Sequence, residues 1–146
     1  WSSDVCSSDL SIVALAAAIT KSTYSSHDVA ALRHSFERAI TQVIPDATIN
    51  GAGADRLPGI SSVTIPGTLN ETLLLLLDGQ SISCSTGAAC TAGVHRPSHV
   101  LEAMGLDDDS VMSTLCFSFG ATSTQGDVDA VIACLADVVA RARSAR

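Results

Sequence analysis

The chain has 146 residues, 47% of them hydrophobic, which suits one domain with a packed core and argues against disorder. Eight basic against fifteen acidic residues give a formal charge of −7, and no cluster of Lys and Arg is present to neutralise phosphates, which argues against nucleic-acid binding. The longest apolar run, Ile12 to Ile19, is mostly alanine and far short of the roughly 20 residues that cross a bilayer, so no membrane span is expected.

Residues 1–10 differ from the rest: they repeat Ser-Ser-Asp, lack an initiator Met and hold the only Trp. They are expected to be a non-native leader, with Cys6 set aside and the domain running over 11–146. Ile12 to Ile19 suits a helix. Ser25, Ser26, His27 and Asp28 can cap a second, whose Val29, Leu32, Phe36, Ile40 and Val43 follow helical spacing until Pro45 ends it. Extended segments are expected at Ala47 to Asn50 and Ser61 to Ile65, across the Gly- and Pro-containing loop Gly51 to Gly59.

Asn70 and Glu71 open a helix through Leu73 to Leu77, closed by Asp78 and Gly79 before an expected strand at Ser81 to Cys84. The loop 85–97 follows. Pro97 and Ser98 start a helix with Val100, Leu101 and Met104, and Gly105 stops it. Asp107 to Asp109 read as a solvated turn, because three consecutive carboxylates lack the alternate spacing of a calcium loop. Ser113 to Phe119 reads as a strand. Thr124 and Asp127 can form a capping box for a last helix with Val128, Val131, Ile132, Leu135, Val138 and Val139 as its buried stripe and Arg141, Arg143 and Arg146 at its negative end. The order predicts an α+β fold, a small antiparallel or mixed sheet with helices packed on one face.

Five cysteines, Cys6, Cys84, Cys90, Cys116 and Cys134, form no Cys-x-x-Cys pair and no zinc-type spacing. They read as thiols of a reducing, cytoplasmic compartment; a disulfide such as Cys84 with Cys116 is the competing arrangement, disfavoured with no secretion signal in view. Cys84, on an apolar strand, and Cys134, on the buried side of a helix, read as core thiols. Cys90 is surrounded by Gly87, Ala88, Ala89, Thr91, Ala92 and Gly93 directly before a helix start, and this small-residue context favours a reactive thiol over a small buried residue. His95 and His99 flank that helix start without partners at metal spacing, so they read as surface or capping residues and no metal site is expected. His27 and His34 read as ordinary helix residues.

The run Ser85-Thr86-Gly87-Ala88-Ala89-Cys90-Thr91, then Pro97-Ser98-His99-Val100-Leu101 and Met104-Gly105-Leu106, resembles the active-cysteine segment of cysteine desulfurases, pyridoxal-phosphate enzymes of the class V aminotransferase group. Leu57-Pro58-Gly59, the Leu73 to Leu77 helix, Phe117-Ser118-Phe119-Gly120, Thr122-Ser123-Thr124 and Asp127-Val128-Asp129 extend the resemblance over about residues 11–143. It implies the C-terminal small domain of a fold-type I pyridoxal-phosphate enzyme. It also implies that Cys90 accepts the sulfur of L-cysteine as a persulfide, releasing L-alanine, for transfer to an iron–sulfur scaffold or to tRNA thiolation. Sulfur attack on sulfur needs a soft, partly ionised nucleophile, which a hydroxyl cannot replace. The family works as homodimers.

Two residues depart from the resemblance. Covalent pyridoxal-phosphate binding needs a lysine, and the only one here, Lys21, is not in the family's lysine motif, so this chain is expected to hold no cofactor-binding residue of its own. Cys116 stands where the family has an Arg that clamps the substrate carboxylate, a loss worth on the order of 3 kcal/mol in substrate binding. Arg96 reads as a solvated loop residue rather than a substitute clamp. Two readings therefore remain: part of a cysteine desulfurase, or a non-catalytic sulfur-carrier or interaction domain from a degenerate paralogue.

Overall fold

A computed structural model describes residues 7–21, 26–87 and 98–145. The elements in chain order are α1 (Ser7–Lys21), α2 (Ser26–Val43), β1 (Thr48–Ile49), β2 (Ile60–Thr64), α3 (Asn70–Asp78), α4 (His99–Ala103), α5 (Asp108–Val111), β3 (Thr114–Ser118) and α6 (Gln125–Ser144). The expected leader boundary falls inside α1, which runs through it without a break.

The three strands form one sheet, ordered β1-β2-β3 and antiparallel throughout. Strand alternation divides it into two chemically different faces. Ile49, Val63, Leu115 and Phe117 point into the core, where Phe36 and Ile40 of α2, Leu73 and Leu77 of α3, and Leu135, Val138 and Val139 of α6 close over them. The opposite face carries the small polar side chains of Thr48, Ser62, Thr64, Thr114, Cys116 and Ser118, with the exposed Ile60 at its end. The α+β expectation holds, with α2, α3 and α6 on the apolar face.

The buried positions of α2 follow the predicted stripe: Val29, Phe36 and Ile40 are buried, and Leu32 and Val43 pack against the core. The capping box of α6 forms as the sequence implies. The Thr124 hydroxyl accepts from the Asp127 amide, and the Asp127 carboxylate accepts from the Thr124 amide at 2.7 Å. At the far end Arg143 donates to the Pro66 carbonyl at 2.9 Å and to Asp46 at 2.6 Å, which ties α6 to the turn after β2. Arg146 lies outside the described residues.

Two local expectations are corrected. Ser81 to Cys84 is not a strand: after α3 the chain wraps back, with Ser81 and Ile82 amides donating to Asp78 and Leu77 carbonyls and Ser81 at φ 61°. A left-handed residue breaks extended backbone, so pairing reaches only one position, the isolated bridge between Ser85 and Cys116. Asp107 to Asp109 is solvated, all three residues being exposed, but it opens the short helix α5 rather than forming a turn. Asp107 caps α5 by accepting from the Ser110 amide at 2.8 Å, and that bond holds its carboxyl below the ordinary 3.8.

Residues 9–20 of α1 are all exposed, including Leu10, Ile12, Val13, Leu15 and Ile19. A helix with apolar residues around most of its circumference is normally covered by other protein. No helix among the described residues is long and apolar enough to cross a membrane.

Candidate functional site

A cleft of about 370 Å³ opens on the polar face of the sheet, between Ser62, Thr114 and Cys116 below and Val100 and Leu101 of α4 with its cap residue Met104 above. Two backbone turns shape its rim. Gly51, at φ +69°, lets the chain pass between the Arg56 stem and Met104, and Gly87, at φ +73°, brings the chain beside Cys116, whose Cβ lies 3.9 Å from where a Gly87 Cβ would stand. Thr86 and Gly87 before residues 88–97, and Ser98 after them, all line this cleft.

The floor is a hydrogen-bonded chain whose direction follows from its proton count. Asn50 Nδ2 donates to Ser62 Oγ at 3.1 Å and to Thr64 Oγ1 at 3.0 Å. Thr114 Oγ1 has one proton and donates it to the Ser110 carbonyl at 2.7 Å, so in the 2.7 Å contact between the two threonines Thr64 is the donor, and its longer 3.2 Å contact with Asn50 Oδ1, which needs the same proton, gives way. This buried chain fixes β1, β2 and β3 to α5 beneath the cleft.

Beside it lies a cluster that sequence reasoning missed. Glu37 of α2 accepts from Arg56 Nη1 at 2.8 Å, from Arg56 Nη2 at 3.2 Å and from the Ser61 hydroxyl at 2.9 Å. Arg33 Nε stands 3.8 Å from the same carboxylate, and the side chains of Arg33, Glu37 and Arg56 are only 9%, 12% and 17% exposed. Burial pushes the Glu37 carboxyl up, but the bonds from Arg56 and Ser61 and the two guanidinium charges outweigh it and hold Glu37 below its ordinary value. The available signal was the i, i+4 spacing of Arg33 and Glu37 on the buried side of α2; Arg56 reaches them only through the tertiary fold.

Cys116 sits half-buried on β3, facing the cleft. Burial raises its thiol above the ordinary value, against a hydrogen bond with Ser118 that lowers it. Cys84 packs instead against the core, and burial together with the neighbouring Cys116 pushes it up to about 11. Both are free thiols in this structure. Cys134 packs against the core from α6, its thiol donating to the Val131 carbonyl at 3.3 Å, with burial raising it. His99 is exposed at the start of α4; His34 is exposed on α2, with Nε2 2.8 Å from Arg33 Nη2. Cys90, His95 and Arg96 lie outside the described residues, as does Cys6.

A three-stranded antiparallel sheet with helices on its apolar face and a loop-bounded cleft on the other is the architecture of a small domain of a fold-type I enzyme, and the comparisons agree. The aminotransferase class-V family model matches residues 9–131, and the chain belongs to that family. The IscS-like cysteine desulfurase of Mycobacterium tuberculosis is 47% identical over 115 residues, covering 78% of this chain and 29% of that protein. The cysteine desulfurase NifS of Azotobacter vinelandii is 35% identical over 117 residues, covering 80% and 29%. The X-ray structure of a NifS-like protein from Rickettsia africae superposes with a TM-score of 0.68 at 26% identity, over 77% of this chain and 28% of that one. The chain thus spans under a third of the length of these relatives.

The family's chemistry depends on pyridoxal phosphate, which is held through a lysine. Among the described residues none lining the cleft is a lysine, and the chain's one lysine, Lys21, ends α1. The cleft residues therefore do not fit the covalently held cofactor.

Proposed function

We propose that this chain is the C-terminal small domain of a cysteine desulfurase, in which Cys90 takes the sulfur of L-cysteine as a persulfide and L-alanine is released. The persulfide then serves an acceptor such as an iron–sulfur scaffold or the tRNA thiolation machinery, in the cytoplasm. The observation that supports this reading most is that Gly87 and Ser98, the residues on either side of the segment 88–97, both line the cleft that holds Cys116. Cys90 follows Gly87 by three positions, and three residues of chain span at most about 11 Å, a tether short enough to present a thiol to the cleft. The lysine that holds the cofactor belongs to the large domain, outside this chain. That domain covers the apolar surface of α1, and the complete enzyme is a homodimer.

A second reading, a non-catalytic sulfur-carrier or interaction domain, is favoured by Cys116 at the place of the carboxylate clamp and by the lack of a cleft lysine. Thiol reactivity tests the role of Cys90 in either case. With Cys84 raised to about 11, roughly one in a thousand of its thiols is ionised at about pH 8, and Cys116 and Cys134 are raised as well. Under limiting iodoacetamide, peptide mass spectrometry is expected to find Cys90 alkylated first, at least about tenfold ahead of Cys84. Equal labelling of Cys90, Cys84, Cys116 and Cys134 would count against a functional thiol at Cys90.

A further inference from the structure

A second groove, of about 540 Å³, runs between α3 and the wrap that follows it and shares no residue with the cleft at Cys116. Leu73 and Leu77 turn one side of α3 into the core, fully buried, which leaves Leu75 on the solvent side at 73% exposure. With the half-buried Leu74, Ile82 and Cys84 it makes an apolar wall where a surface helix ordinarily carries polar side chains. Burial keeps the Cys84 thiol neutral, raised to about 11, so it adds no charge to that wall. Glu71 and Asp78, both exposed, line the same groove one turn before and one turn after Leu75, about 10 Å apart along the helix axis. Among the described residues none lining the groove is basic, and the sequence has no Lys or Arg between Arg56 and Arg96.

An apolar wall framed by two carboxylates selects its occupant by charge. An anionic lipid surface, a nucleic acid or a second copy of this chain, itself at −7, brings more negative charge to the frame and is repelled. A helix whose apolar anchor is flanked by Lys or Arg brings the complementary pattern. We infer that this groove docks a basic amphipathic helix of a partner protein: an apolar side chain seats against Leu74, Leu75 and Ile82, while two Lys or Arg residues about two turns apart meet Glu71 and Asp78. The docking rests on this groove alone and not on the sulfur chemistry proposed for Cys90. Cys84, in the groove wall, precedes Gly87 by three residues, so the occupant lies against the chain that leads to the segment 88–97.

The test titrates the ¹⁵N-labelled 146-residue chain, under reducing conditions, with three synthetic peptides, following the amide signals of Leu74, Leu75, Ile82 and Cys84. The first is an alanine-rich helix with a central Leu and, on the same face, a Lys one turn to either side; the second carries Glu in place of each Lys, and the third scrambles the first. The Lys peptide is expected to shift these signals and to bind at least about tenfold more tightly than the other two, with an affinity that falls as salt rises. Leu75→Ala is expected to weaken it at least about fivefold. Glu71→Lys with Asp78→Lys is expected to reverse the preference, so that the Glu peptide binds best. Glu71→Gln with Asp78→Asn, a milder change to α3, is expected to abolish the difference between those two peptides, and urea midpoints verify that each variant is folded. Equal binding of the Lys and scrambled peptides, a preference untouched by these charge changes, shifts confined to α1, or no shift with any peptide overturns the inference. A missing persulfide on Cys90 with this docking intact would sink the proposed reaction and leave the inference standing.

Discussion

Replacing Phe36 by alanine is expected to cost the fold about 4 kcal/mol. Phe36 is fully buried and its ring lies 4.7 Å from Phe117 and 5.5 Å from Phe119, both tilted. It is the side chain through which α2 grips β3, so removing it opens a cavity under the strand that carries Cys116 on its other face. Paired rings at this separation add about 1 kcal/mol beyond their buried area. Since a domain of this size has only about 5–15 kcal/mol in total, urea unfolding should show a midpoint shifted by a large fraction of its value. Phe36→Leu, which refills most of the volume, should cost under about 2 kcal/mol. A Phe36→Ala loss below that of Phe36→Leu would show that the α2–β3 contact is not what holds the sheet.

Glu37→Ala is expected to cost about 3 kcal/mol, because it leaves Arg33 and Arg56 facing one another in a largely buried site with no anion between them. The same carboxylate gives the stability a pH dependence whose sign follows from its lowered pKa. A folded-state pKa below the ordinary 4.5 means that the stabilisation is fully present above 4.5 and is lost as pH falls through the lower folded value. Asp46, lowered by its hydrogen bond to Arg143, contributes in the same direction and remains in any Glu37 variant. Urea midpoints measured from about pH 6 to about pH 3 should therefore fall for the parent chain and fall less steeply for Glu37→Gln. Parallel curves would mean that Glu37 is not charged and paired in the folded chain.

Helix α2 and the strands β2 and β3 were legible because their residues obey a simple period. Val29, Phe36 and Ile40 recur at helical spacing, and Leu115 and Phe117 alternate with Thr114, Cys116 and Ser118, so the inward and outward faces of β3 follow from the sequence alone. The capping box at Thr124 and Asp127 was readable because it is local. The segment Ser81 to Cys84 misled because its composition suits a strand while the wrap after α3 puts Ser81 in a left-handed conformation, a choice made by tertiary placement. The Arg33–Glu37–Arg56 cluster joins residues far apart in the chain, and a buried arginine on an otherwise apolar helix face is not announced by periodicity. At the site, the reading of Cys84 and Cys134 as core thiols agrees with their packing against the core. The pairing of Arg56, a residue of the cleft wall, with Glu37 required the folded structure.

The destination of sulfur tests the functional account most directly. A hybrid is made by joining the N-terminal part of the Mycobacterium tuberculosis relative to this chain, and its cofactor absorbance is used to verify that pyridoxal phosphate is bound. It is then incubated with saturating L-cysteine, and its peptides are weighed after alkylation. The account predicts the mass of one added sulfur atom on the Cys90 peptide, with L-alanine released in step, and loss of both with Cys90→Ser. Sulfur carried instead by Cys84, Cys116 or Cys134, or a loaded hybrid that releases alanine without marking Cys90, would contradict it.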